Sequence, residues 1–69
     1  MQEIIDSIID LEYKQLLITV WLNLPENQHK MFMDILQRAI KNDKKIFVDE
    51  ENLNFNWDSL RISNIKIND

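Results

Sequence analysis

The feature that most constrains this chain is residues 16–24, LLITVWLNL, its longest apolar run, interrupted only by Thr19 and Asn23. Any fold must hide it. The segment leading into it has a helical period. At about 100° per residue, Ile4, Ile5, Ile8, Ile9 and Leu11 fall on one half of a wheel, and Glu3, Asp6, Ser7 and Asp10 on the other. Acids in the first turns also suit the positive end of the helix dipole. Residues 2–22 therefore read as one helix, amphipathic at first. From Leu16 onward, Leu16, Leu17, Ile18, Val20, Trp21 and Leu22 surround the circumference. A helix apolar all round must be buried all round. One neighbouring helix and a small sheet cover two sides; the third calls for another chain. Leu17, Ile18, Trp21 and Leu22 are the candidate partner interface, with Trp21 its anchor because the wheel turns it away from the first apolar face. The β-branched Ile18, Thr19 and Val20 leave a strand open as the alternative for residues 16–22.

Length sharpens the need for a partner. Sixty-nine residues are expected to form a single small α+β domain, spanning 1–69. A chain this short buries only about 60% of its unfolded surface, and its core supplies roughly 3–5 kcal/mol. Small proteins add disulfides, a structural metal or a second subunit. With no cysteine and one histidine, the first is absent and the second finds no ligand set. Association remains, and a homodimer is the expected form. The 45% hydrophobic content is that of a soluble globular chain. No run reaches the ~18 apolar residues of a membrane span. The acidic start MQEIID is unlike a basic signal peptide. A cytoplasmic protein with no membrane association is expected.

Beyond residue 24, Pro25 suits the first position of a second helix. Met31, Phe32, Ile35, Leu36, Ala39 and Ile40 make its apolar face, with Met33 at the edge, opposite Glu26, Lys30, Asp34 and Arg38. Asn42 is its stop. The connecting turn is short enough for the two helices to pack antiparallel. The period then changes. Residues 46–48 (IFV) form a β-type run, residues 49–52 a polar turn, and Leu53, Phe55 and Trp57 alternate with Asn54 and Asn56. These read as a hairpin. Leu60-Arg61-Ile62 and Ile65-Lys66-Ile67 follow, with their apolar parity reversed across Ser63-Asn64, so a third strand remains open. The expected architecture is α+β: two antiparallel N-terminal helices packed on a small C-terminal antiparallel β-hairpin or three-stranded sheet.

The chain has no glycine. Asparagine is the residue after glycine that best tolerates left-handed backbone, so Asn23, Asn42, Asn52 and Asn64 are expected at turns and helix ends. Without glycine there is no phosphate-cradling loop, dinucleotide fingerprint or nucleophile elbow of the usual kind. His29 falls at the edge of the second helix's apolar face with no Ser, Thr or Cys beside it in sequence, and reads as a packing histidine. The acidic run around Asp49 fails the calcium-loop pattern, because Leu53, Asn54 and Leu60 stand where a ligand, a glycine and a glutamate are required. No catalytic set, cofactor site or metal site emerges.

Charge separates the remaining functions. A net charge of −4 argues against direct nucleic-acid binding, which phosphate repulsion opposes, and towards a basic protein surface. Glu3, Asp6, Asp10, Asp49, Glu50 and Glu51 form the candidate acidic contact surface. The residue usage, rich in Ile, Asn and Lys, suggests an AT-rich bacterial or phage genome. The expected function is a non-enzymatic protein–protein interaction module: a small acidic inhibitor or regulator that occupies a partner's surface, of the anti-defence, antitoxin or immunity type. One alternative is a dimeric DNA-binding regulator using Arg38, Lys41, Lys44 and Lys45, a cluster that otherwise reads as a solvated helix end. A second is a structural subunit of a larger assembly. Two helices and a hairpin also resemble the end of a winged-helix topology, but no motif accompanies that likeness.

Overall fold

The computed structural model describes residues 2–68, and the side chains of residues 4–68. Three helices come first: α1 (Gln2–Asp6), α2 (Leu11–Asn23) and α3 (His29–Lys41). The strand β1 (Lys45–Val48), a short helix α4 (Glu50–Leu53) and the strand β2 (Ile65–Asn68) follow. Strands and helices mix as expected of an α+β chain. Among the described residues no helix is long and apolar enough to cross a membrane.

The continuous helix expected over residues 2–22 is broken at residues 7–10, and two side chains explain the break. Ser7 Oγ donates to the Ile4 carbonyl at 2.8 Å, drawing off a backbone acceptor where α1 ends. Asp10 adopts extended backbone (φ −71°, ψ 107°), and its carboxylate accepts the Tyr13 N–H at 3.3 Å, so it starts a new helix as an N-cap. Short polar side chains compete for backbone hydrogen bonds in this way, and an aspartate N-cap is among the strongest start signals. Residues 16–22 are helical, which removes the strand alternative.

The second correction concerns the hairpin. β1 does pair antiparallel, but its partner is β2, with Ile46 opposite Ile67 and Val48 opposite Ile65. The expected partner, residues 53–57, is not extended. Asp49 caps α4 by accepting the Asn52 N–H, and Leu53 is buried at the end of that helix. Asn54 and Phe55 then take left-handed backbone at φ 54° and 56°, which no strand tolerates. Trp57 opens a 3₁₀ turn, and Ile62 another. Leu60 is buried as a loop residue, and no third strand forms among the described residues.

Asparagines do serve helix ends and turns. The Asn23 and Asn42 amides donate to Thr19 and Arg38 carbonyls at 2.8 and 2.9 Å, taking up acceptors that a helix terminus leaves free. Asn64 is buried. Its side-chain oxygen accepts the Arg61 N–H at 3.0 Å and its carbonyl accepts the Asp49 N–H at 2.8 Å. The left-handed positions, however, fall to Asp43, Asn54 and Phe55.

One apolar cluster joins these elements. Phe32, Leu17, Leu36, Leu60 and Val20 are its least accessible large side chains, from α2, α3 and the loop before β2. α3 begins after a 3₁₀ turn, Glu26–Gln28, so Pro25 stands before that turn instead of at the first position of the α-helix. The buried face of α3 includes Met33 in full, whereas Met31 and Ile40 are exposed. Two side chains fasten the outlying backbone: Tyr13 Oη accepts the Ile46 N–H at 3.0 Å, and Gln28 Oε1 accepts the Ile62 N–H at 2.9 Å. Each bond satisfies a donor that would otherwise be desolvated without a partner.

Truncating Leu36 to alanine deletes a fully buried side chain. The expected cost is about 2–5 kcal/mol, comparable with the whole stability of a core this small. Leu36→Ala should therefore lose its cooperative thermal transition by circular dichroism; a wild-type transition would show that this cluster does not hold the fold.

Candidate protein-docking face

α2 has two apolar sides. On the inner side Leu17, Val20 and, just past the helix, Leu24 belong to the core. On the outer side Leu11 is 72% exposed, Ile18 39% and Leu22 76%. The capped start at Asp10 sets this phase. α1 folds back beside α2, with Asp6 3.9 Å from Lys14. Between the two helices lies a groove of about 120 Å³ lined by Ile5, Asp6, Ile18, Trp21 and Leu22.

Three of the four residues expected at a partner interface, Ile18, Trp21 and Leu22, thus meet in one groove. The fourth, Leu17, is fully buried in the core. Trp21 is half-buried: its indole stacks on the His29 ring at 3.8 Å and 18°, with the Phe32 ring centroid 6.3 Å away. It forms a wall of the groove and is not a free-standing anchor. The expected wheel misplaced it because the break at residues 7–10 cuts the phase between the two helices. Leu11, 72% exposed on the outer side, is the residue the sequence reading missed. Its spacing puts it on the same side as Ile18 and Leu22, but the wheel grouped it with the first apolar face, Ile4, Ile5, Ile8 and Ile9, and so with the core.

His29 accounts for the end of α2. A carbonyl only accepts, so His29 Nε2 carries the proton it donates to the Trp21 carbonyl at 2.8 Å. This occupies one of the terminal acceptors that α2 cannot bond internally. The imidazole is thus engaged on its face and at one nitrogen.

The acidic residues do not form one surface. The Glu3 side chain lies outside the described residues. Asp6 and Asp10 sit near the start of α2, whereas Asp49, Glu50 and Glu51 cap and open α4. Asp10 faces Lys45 at one end of β1, and Asp49 follows its other end, roughly 13 Å along the strand. Asp49 is also half-buried, held by Asn52 and by its own N–H to Asn64. The basic residues are likewise interrupted. Lys45 Nζ lies 3.3 Å from the Asp10 carboxylate and 5.2 Å above the Tyr13 ring, and the left-handed Asp43 sits beside it in the turn. Among the described residues, no three His, Asp or Glu side chains converge as a metal-binding group.

No protein-family model, no curated protein and no solved structure matches the chain.

Two outcomes follow from this geometry. His29→Ala removes a ring stack and a hydrogen bond, and should cost about 1–3 kcal/mol in urea unfolding followed by tryptophan emission; an unchanged midpoint would mean that the stack contributes nothing. The Tyr13 N–H, and then Lys45, hold the Asp10 carboxyl below the usual aspartate range. A depressed folded-state value stabilises above the unfolded value and is lost as pH falls through the folded one. Asp10→Ala should therefore melt lower than wild type at neutral pH, and the two curves should converge in the acid range below the ordinary aspartate value. Asp10→Asn, which keeps a capping oxygen, should fall between them at neutral pH. Parallel curves at every pH would exclude the charge as the cause.

Proposed function

We propose that this chain is a non-enzymatic protein–protein interaction module: a small acidic inhibitor or regulator, of bacterial or phage kind, that acts by occupying another protein's surface. The supporting observation is the outer side of α2, where Leu11, Ile18 and Leu22 stand exposed beside a groove walled by Trp21. Isolated exposed leucines are ordinary. Three large aliphatic side chains on one side of a 13-residue helix, flanking a concavity, support reading it as a docking face. The non-enzymatic reading draws on His29, the chain's one imidazole, which is taken up by Trp21. In the same reading α2 and α3 are an antiparallel pair, tied near their ends by Trp21 to His29 and by Tyr13 to the start of β1. Asp6, at the groove, and Asp10, at the start of α2, each face a lysine of this chain, Lys14 and Lys45, so the apolar centre carries the face.

Leu22→Glu tests the face. Leu22 is 76% exposed, so folding stability should stay within about 0.5 kcal/mol of wild type. Association, read by light scattering or by capture of a partner, should weaken at least about tenfold, since a buried leucine contributes about 1.5–3 kcal/mol. Association as tight as wild type would remove this face from consideration. A salt titration separates the roles of charge and apolar contact: binding led by the acids weakens as salt rises, and binding led by the leucines does not.

A further inference from the structure

The outer side of α2 has an internal order. Leu11, Gln15, Ile18 and Leu22 are spaced by four, three and four residues, and all four are exposed. That alternation is the a/d seam of a coiled coil, the pattern by which one helix packs along another. Resting on the docking-face reading above, we propose that its occupant is α2 of a second copy of this chain, packed antiparallel across a two-fold axis that passes midway between Gln15 and Ile18.

Three observations select this occupant. The first is symmetry of spacing. Reversing the stripe about its midpoint carries Leu11 onto Leu22 and Gln15 onto Ile18. In an antiparallel pair every seam residue therefore meets a seam residue of the other copy, as an isologous interface requires.

The second is shape. The groove lies at the Leu22 end of the stripe, and Leu11 projects at the other end. Antiparallel packing brings Leu11 of each copy to the groove of the other. The groove holds about 120 Å³; a cavity of about 150 Å³ admits benzene, so one leucine side chain fits. Knob and hole are on the same chain, and the two-fold joins them twice.

The third is charge. The charges of α2 are all at its start, where Asp10 and Glu12 outnumber Lys14, and residues 15–24 carry no charge at all. A parallel pair would bring the acids of both copies side by side, with aligned helix dipoles. An antiparallel pair sets the acids at opposite ends, each against an uncharged half-helix, and opposes the dipoles. A basic helix from a foreign protein would find a charge match only over the first turn. Thirteen residues span about 20 Å, a short seam at the lower end of specific interfaces. The dimer is therefore expected to exchange with protomers, with a dissociation constant on the order of micromolar.

The absence of cysteine makes single-cysteine variants clean reporters. At a rise of about 1.5 Å per residue, antiparallel packing sets position 15 or 18 about 4.5 Å along the axis from its own counterpart, and position 11 or 22 about 16 Å from its own. A short bis-maleimide linker should join Gln15→Cys to itself and Ile18→Cys to itself. Leu11→Cys alone and Leu22→Cys alone should remain unlinked, and an equimolar mixture of the two should join. Light scattering of the unmodified protein should approach twice 8.4 kDa as concentration rises. Self-linking at all four positions would indicate a parallel pair and overturn the proposal. So would a mass of 8.4 kDa at every concentration up to near-millimolar. In that last case the docking face itself still stands if Leu22→Glu blocks capture of a foreign partner, and falls with the dimer if Leu22→Glu changes nothing.

Discussion

α2 carries apolar residues on two opposite sides, and its own chain supplies neighbours for one. The inner side, with Leu17 and Val20 at 0% exposure, is enclosed in the same cluster as Phe32, Leu36 and Leu60. Helix α3, the small sheet and the loop before β2 all contribute to that cluster, so the fold depends on this burial more than on any single hydrogen bond. A two-stranded sheet is marginal on its own; here α3 covers both strands. On the outer side α1 lies against only part of the helix: Leu22 lines the groove between them yet stays largely exposed, as does Leu11.

Around this cluster, short polar side chains decide where the backbone changes direction. Ser7 closes α1, Asp10 opens α2, Asn23 and Asn42 take up carbonyls in the last turns of α2 and α3, and Asp49 opens α4. A chain without glycine must build its left-handed corners from other residues. Asp43 and Asn54 do so at modest cost, since their side chains tolerate that region. Phe55, at φ 56°, is the strained one, and the corner it shares with Asn54 keeps residues 53–57 from becoming a strand.

The groove between α1 and α2 follows from the same devices. The break at residues 7–10 lets α1 turn back along α2, and Trp21, pinned by His29, closes one wall. Had the two helices run on as one, there would be no concavity beside Ile18 and Leu22. Local capping therefore creates the site, although neither Ser7 nor Asp10 lines it.

By itself the sequence determined the mixed helix–strand class, the helical hydrophobic segment around residues 16–22, the start of β1 after Asn42, and the packing role of His29. Each of these rests on local periodicity or on a residue's intrinsic chemistry. It also marked Ile18 and Leu22 as residues with more apolar surface than one side of a helix needs. Tertiary structure decided the rest. Hydrophobic alternation at 53–57 described a strand equally well until the left-handed corner at Asn54 and Phe55 excluded it, and β1 paired instead with the more distant residues 65–68, whose isoleucines could reach the core. The wheel that placed Trp21 outward assumed an unbroken helix; once Asp10 restarts the helix, α1 no longer shares the axis of α2, and whether Leu11, Leu17 or Trp21 faces water is settled by what packs beside α2, which no local pattern encodes.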